Sequence, residues 1–301
     1  MEPLLKMSSY NCAGVKHRDF KYLNDTFNKC DILFLQETWL YNFEHSQLKD
    51  IFPECQYHAV SAMDEADVHR LGRPFGGVAV LWRHNLAMSF IPVKTNSQRI
   101  CAVHVKSNDI NCILASVYMP TDDDTTTNFN IFGDVLYELS SIVASHDNCD
   151  FIFAGDFNVD YSRINSRNLN LFKRFINDEE FLCPSVNFLD NNYTREDSDN
   201  NRSFIDHFLL SKNVRHTNFS ISYDGDNTSD HNPISIDTIY NVKLTHLDSS
   251  NYEIMNWSKA TDTNIQNYKT LLDHYLSYFV IPQSIKDCNN LICNSHNDII
   301  L

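Results

Sequence analysis

Reactive side chains in this sequence gather at the ends of short apolar runs. Asn11 follows Ser8-Ser9-Tyr10, Glu37 follows Leu33-Phe34-Leu35-Gln36, and Tyr118 follows Ala115-Ser116-Val117. Asp156 and Asn158 follow Ile152-Phe153-Ala154-Gly155, Asp206 follows Ser203-Phe204-Ile205, and Asp230 and His231 stand in Ser229-Asp230-His231-Asn232-Pro233. The set offers four carboxylates, one imidazole, one phenol and two amides, without a cysteine nucleophile or a glycine-rich phosphate cradle. That is an inventory for hydrolysis assisted by a hard cation. Magnesium takes oxygen ligands, keeps several waters and is held by one or two carboxylates plus substrate phosphate, which Glu37 and Asp230 can supply. Asp156 is then left to orient or deprotonate water. His231 can stabilise charge developing on phosphorus if Asp206 holds it oriented and protonated.

Strand geometry limits which of these residues meet. Neighbouring strand side chains point to opposite faces, so Asp230 and His231 share one site only if the chain turns there. Pro233 favours such a turn and biases Asn232 towards an extended conformation. The same rule separates Asp206 from His207, and Asp206 is taken as the residue that faces the site. Each residue alone has an ordinary reading, since a carboxylate at a strand end is most often solvated and a lone strand tyrosine is core. The Gln-Glu-Thr, Gly-Asp-Phe-Asn and Ser-Asp-His strings in one chain, in that order, outweigh it.

The elements that must position these side chains are legible as periodicity. Leu4 to Cys12, Asp31 to Leu35, Gly77 to Trp82, Ile110 to Tyr118, Phe151 to Ala154 and Phe204 to Leu210 read as strands. Helical spacing appears at Phe20, Leu23 and Phe27, and again at Phe129, Phe132, Val135, Leu136, Leu139, Ile142 and Val143. Between Tyr57 and Tyr118 strand follows strand, which predicts hairpins within a layered α/β fold. Near Tyr240 strands give way to one helix carrying Ile265, Tyr268, Leu272, Tyr275 and Phe279 and ending before Pro282. The division expected is therefore residues 1–240 and 241–301. The tail closes on Ile299, Ile300 and Leu301 with no stop signal, and reads as cut from something longer.

The ordered strings resemble the endonuclease/exonuclease/phosphatase superfamily over roughly residues 4 to 240. The resemblance implies a four-layered α/β sandwich, two central mixed sheets flanked by helices, to which the chain adds a short C-terminal helical segment. It assigns Glu37 as principal magnesium ligand with Asn11 beside it and Asp230 as the second acidic residue at the metal. It makes Asp156 the residue that activates water, Asn158 a contact of the scissile phosphate, Tyr118 its positioning tyrosine, and Asp206 with His231 a carboxylate-histidine pair. Thr194 sits where members often have a threonine near the site.

A narrower resemblance, to the apurinic-type endonuclease of non-LTR retrotransposons, rests on Tyr10-Asn11-Cys12, Leu35-Gln36-Glu37-Thr38-Trp39-Leu40, Gly72-Arg73-Pro74-Phe75-Gly76-Gly77, Val117-Tyr118-Met119-Pro120 and Phe204-Ile205-Asp206-His207. Asn256-Trp257-Ser258-Lys259-Ala260 with Tyr268, Leu272, Pro282, Cys288, Cys293 and His296 resembles the linker to a reverse transcriptase, which is absent. The implied reaction is nicking of one DNA strand to leave a 3′-hydroxyl, with magnesium, or manganese in its place, in the nucleus. The alternatives are a phosphoesterase of the same fold acting on RNA, phosphoinositide or phospholipid, and an inactive or recruited DNA-binding remnant. Ala13-Gly14 departs from the Arg-Gly that these elements often carry, and Lys16 or Arg18 is expected to substitute.

Composition constrains the partner. Among 301 residues, 24 Lys+Arg against 39 Asp+Glu leave −15, so a polyanion must be met locally, by a basic rim or a metal. Lys16, Arg18, Arg163 and Arg167 are the candidates to flank a DNA groove, and Asp122, Asp123 and Asp124 read as a solvated loop. Nine cysteines, an odd number, predict reduced thiols and an intracellular protein. Cys288, Cys293 and His296 lack finger spacing and a fourth ligand, which favours core thiols over zinc. No apolar run reaches membrane-spanning length and no secretory signal opens the chain.

Overall fold

The computed structural model describes residues 4–63, 74–240, 261–263, 265–266 and 269–270. In chain order the first part runs β1 (Leu4–Asn11), α1 (Phe20–Asn28), β2 (Ile32–Gln36), α2 (Gln47–Ile51), β3 (Cys55–Val60), β4 (Val78–Arg83) and β5 (Ser89–Val93). It continues with β6 (Ile100–Lys106), β7 (Asn111–Tyr118), α3 (Thr126–Ala144), β8 (Asp150–Asp156) and α4 (Arg167–Asp178). After these come β9 (Phe181–Leu182), β10 (Arg195–Glu196), β11 (Arg202–Ser203), β12 (Asp206–Ser211), β13 (His216–Ile221) and β14 (Ile234–Ile239).

Two six-stranded sheets form the centre, ordered β13-β14-β1-β2-β4-β3 and β5-β6-β7-β8-β12-β9, with β10 and β11 as a separate ribbon. Each sheet is mixed. β1 with β2 and β7 with β8 are parallel, and the remaining pairs are antiparallel. Met7, Phe34, Val80, Val103, Leu114, Ile152, Phe208 and Ile236 fill the space between the sheets. The opposite face of the first sheet packs on α1 and α2 through Leu23, Phe27, Leu33, Leu35 and Leu48. The opposite face of the second packs on α3 and α4 through Phe132, Leu139, Phe153, Leu169 and Phe172. The result is the expected helix-sheet-sheet-helix layering.

Helix α4 is an element that the sequence analysis did not resolve. Its buried Leu169, Phe172 and Phe175 lie at helical spacing, and the Ser166 hydroxyl caps it by accepting from the Leu169 N–H at 3.0 Å. Arg167 therefore opens a helix instead of lying in a loop. The strand expected from Phe204 begins two residues later, because pairing with β8 starts at Asp206↔Asp156.

The chain divides into two compact units, Met1–His246 and Leu247–Leu301. In the second, the described positions 262–263, 265–266 and 269–270 are helical, and the Ile265 N–H donates to the Thr261 carbonyl at 3.0 Å. Tyr268, Leu272, Tyr275, Phe279, Pro282, Cys288, Cys293 and His296 lie outside the described residues. The seven described cysteines form no disulfide. Among the described residues no helix is long and apolar enough to cross a membrane.

Candidate active site

The site forms where the apolar filling between the sheets gives way to polar side chains on the same faces. Along β1, Leu5 and Met7 enter the inter-sheet core and Asn11 continues their row; along β2, Ile32 and Phe34 are followed by Gln36. Along β7, Cys112 and Leu114 are followed by Ser116 and Tyr118; along β8, Ile152 and Ala154 are followed by Asp156. β12 carries the row in reverse, from Asp206 to Phe208 and Leu210. Alternation thus sends Asp206 inward and turns His207 outward, where its ring bonds Ser185 Oγ and the Val159 carbonyl. Beneath the site the buried Gln36 Nε2 donates to Ser9 Oγ at 3.2 Å and to Ser116 Oγ at 2.9 Å, which ties the two sheets together.

A continuous chain of polar contacts lies above this tie. Asn11 Nδ2 donates to Glu37 Oε1 and to Asp156 Oδ2, each at 3.0 Å. His231 Nε2 stands 3.7 Å from the same Asp156 oxygen, and its Nδ1 donates to Asp206 Oδ2 at 2.9 Å. Thr194 Oγ1 accepts from the Ile205 and Asp206 N–H groups at 3.0 and 3.1 Å and so fixes the start of β12. Asn158 Nδ2 donates to the Met119 carbonyl, and its N–H donates to Asp156 Oδ1, both at 2.9 Å. Glu37 and Asn158 have φ of 52° and 51°, left-handed values that turn each side chain out of its strand direction.

Burial and charge set the proton positions. Desolvation raises the Asp156 carboxyl well above the ordinary carboxylate range, His231 opposing this and Asp206 adding to it. Burial alone would lower His231, but Asp206 and Asp156 outweigh it and hold the imidazole protonated to higher pH. Burial, then the Glu37 and Asp156 charges, push the Tyr118 phenol upward, so it is a neutral donor.

Asp230 is not brought into this group. Its carboxylate faces Arg195, whose Nε donates to Oδ2 at 2.9 Å, while the next residue points inward. The reason is the bridge that pairs Arg195 with His231, which fixes the backbone so that the neighbours point apart.

The four basic candidates also separate. Arg18 is a strut: Nε and Nη2 donate to the Cys12 and Ala13 carbonyls at 2.6 and 2.9 Å, and Nη1 to the Thr228 carbonyl at 2.6 Å. Lys16 pairs with Glu44. The Arg167 guanidinium lies 4.0 Å from the Phe129 ring centroid, and Arg163 is exposed in the turn before α4.

Three positioning residues escaped the sequence analysis. Trp39 Nε1 donates to Glu37 Oε2 at 3.0 Å, and a side chain on Gly14 would collide with its ring, Cβ to Cε3 being 2.2 Å. Ser229 Oγ donates to the Asn11 carbonyl at 2.8 Å and accepts from the His231 N–H at 3.2 Å, which ties the histidine loop to β1. Arg99 lies against Tyr118. Trp39 and Ser229 stand inside the Gln-Glu-Thr-Trp and Ser-Asp-His strings, whereas Arg99 carried no local signal.

The donor set fits a hard divalent cation. Glu37 and Asp156 share the Asn11 amide as a common neutral donor, and burial, with Asp206 adding to it, is what raises Asp156. Ligand atoms of Asp156, Asp206 and His231 lie within 4.8 Å of one another, but the Asp206–His231 hydrogen bond already engages two of them. The oxygens of Glu37 and Asp156 are the better ligands.

The model of the Endonuclease/Exonuclease/phosphatase family matches residues 8–231. The chain belongs to this family. Its members, nucleases and phosphatases, are generally dependent on divalent metals. No curated protein sequence gives a significant match. Solved structures share the family's fold at low identity. The endonuclease domain of TRAS1, a telomere-specific non-LTR retrotransposon, is 13% identical with a TM-score of 0.60, over 79% of this chain and 100% of that one. The catalytic domain of Xenopus laevis APE2 is 15% identical with a TM-score of 0.63, over 80% and 94%. Mannosyl-6-phosphatase Bt3783 from Bacteroides thetaiotaomicron is 17% identical with a TM-score of 0.54, over 78% and 99%.

Proposed function

We propose that the protein is a magnesium-dependent DNA endonuclease of retrotransposon origin that nicks one strand to leave a 3′-hydroxyl, acting in the nucleus. The observation that carries this reading is the unbroken chain Glu37–Asn11–Asp156–His231–Asp206, with Tyr118 and Asn158 at its edge. Its likeness to the TRAS1 endonuclease domain, over all of that domain, supports the substrate class.

In this reading Asp156 orients the attacking water and takes its proton, its Oδ2 lying between the Asn11 amide and the His231 ring. The water oxygen bonds to phosphorus in line with the P–O3′ bond, which breaks to leave a 5′-phosphate and a 3′-oxyanion that takes a proton from solvent water to become the 3′-hydroxyl. His231, held as imidazolium by Asp206, faces the charge that develops on the phosphoryl oxygens. Tyr118 donates to the same phosphate from the opposite wall, and Asn158 positions it. Glu37 and Asp156 would hold the cation, which when bound supplies Lewis-acid stabilisation of that charge. Asp206 acts through His231 and Thr194 through Asp206.

Supercoiled DNA, single-stranded RNA, phosphatidylinositol bisphosphate and mannose 6-phosphate, offered side by side with magnesium, test the substrate assignment. DNA should be the substrate turned over fastest, with products that a polymerase extends. Preferred turnover of a phosphoinositide or a sugar phosphate overturns it.

A further inference from the structure

Next to the centre a cavity of about 360 Å³ is lined by residues that include Phe75, Arg99, Tyr118, Ile131, Asp134 and Glu138. Tyr118 belongs to both places, since Glu37 and Asp156 act on its phenol and its ring borders the cavity. Arg99 is partly buried beside it. One guanidinium N–H donates to the Tyr118 carbonyl at 3.2 Å, and the guanidinium carbon lies 5.4 Å from the Tyr118 ring centroid. Among the described residues no carboxylate pairs with Arg99, unlike Lys16, Arg195 and Arg202, each of which has an acidic partner. Glu37 and Asp156 act on this guanidinium only from a distance, which leaves its planar fork, a match for a phosphate, without a carboxylate in direct contact among the described residues.

The rest of the lining differs in character. Phe75 presents a ring that is 60% exposed, and Ile131 adds apolar surface. Asp134 and Glu138, one turn apart on α3, contribute carboxylates, and one Glu138 oxygen accepts from the Asn96 N–H. A cation, a flat apolar face and acceptor-only oxygens in one recess of this size suit a nucleotide.

We propose that this cavity receives the nucleotide next to the scissile bond on the Tyr118 side. Arg99 holds its phosphate, Phe75 stacks on its base, and Asp134 with Glu138 accepts from a base edge that carries an amino group. The proposal rests on the DNA reading above and extends it to a determinant of target preference.

The test uses a duplex with one mapped nick site, in which each phosphate flanking that site is replaced in turn by a neutral methylphosphonate. Wild-type protein should be slowed about tenfold or more at one position on one side. Arg99→Gln should be slow on the all-phosphate duplex and indifferent to that replacement. The slope of log Kd against log salt should fall by about 1 in Arg99→Gln, which a purely structural role would not produce. Phe75→Ala changes an exposed residue and should raise KM with kcat retained. Wild-type KM in Phe75→Ala, or an Arg99→Gln protein as sensitive as wild type at every position, overturns the proposal. A wild-type protein that nicks no DNA overturns the substrate reading itself, and the subsite with it.

Discussion

Asp156 and Asp206 are register partners in the antiparallel β8–β12 pair, and the imidazole of His231 bridges their carboxylates, 2.9 Å from Asp206 and 3.7 Å from Asp156. Two neighbouring acids are thereby given different tasks. Asp206 is committed to the histidine, and Asp156 keeps an oxygen turned towards Asn11 and Glu37.

Asp206→Asn should keep the fold and lose the charge that raises His231. The imidazolium then deprotonates at lower pH, so the alkaline limb of the kcat profile moves to lower pH, and kcat falls by about a hundredfold or more. Plasmid nicking across a pH series checks this. An unmoved alkaline limb would show that His231 does not act as a cation.

The same two raised groups make the metal-free protein weaker in base. Asp156 and His231 each bind protons more tightly when folded than when unfolded, so the folded state carries the extra protons and stability falls as pH rises. The His231 contribution is complete below its ordinary value of 6.5 and is lost as pH climbs through the raised folded value. The Asp156 penalty grows from the ordinary 3.8 upward. Tm measured in EDTA should fall between about pH 6 and about pH 9, less steeply for Asp156→Asn, and magnesium should raise Tm more at the higher pH.

The backbone at Gly155 requires a glycine before Asp156. A Cβ there would lie 1.9 Å from the Val117 carbonyl oxygen, in the backbone of the parallel neighbour β7. Gly155→Ala should cost about 2–3 kcal/mol in urea unfolding. A loss below about 0.5 kcal/mol, the range of neutral surface changes, would mean that β8 does not pass so close to β7.

Trp39→Phe removes the donor to Glu37 Oε2 and retains an aromatic ring. The magnesium concentration for half-maximal nicking should rise about 10- to 100-fold, with the rate at saturation largely restored. An unchanged magnesium requirement would dissociate Glu37 from the metal.

Arg18 and Arg163 should separate in mutagenesis. Arg18→Ala leaves the Cys12, Ala13 and Thr228 carbonyls without their donor and should lower stability by about 1–3 kcal/mol. Arg163→Ala, at an exposed position, should leave Tm unchanged and reduce only the salt dependence of DNA binding.

Periodicity made much of this legible in advance. Period-two alternation separated Asp206 from His207, and the ends of apolar runs located Asn11, Glu37, Tyr118 and Asp156, because both signals are local. Asp230 shows the limit. Its direction is set by Arg195, 35 residues earlier, through a bridge that no local pattern encodes. Arg99 was hidden for a similar reason, since its significance comes from Tyr118 across the β6–β7 hairpin. Helix α4 carried helical spacing at Leu169, Phe172 and Phe175, but the intervening Asn170, Lys173 and Arg174 thinned it.

In the proposed reading the Glu37–Asn11–Asp156–His231–Asp206 chain hydrolyses a phosphodiester with the help of a metal. The most direct measurement is nicking of supercoiled plasmid by purified protein with magnesium, with EDTA, and by the folded His231→Ala variant with magnesium. Relaxed circles should form only with the wild type and magnesium. Equal nicking in EDTA, or by His231→Ala, would contradict it.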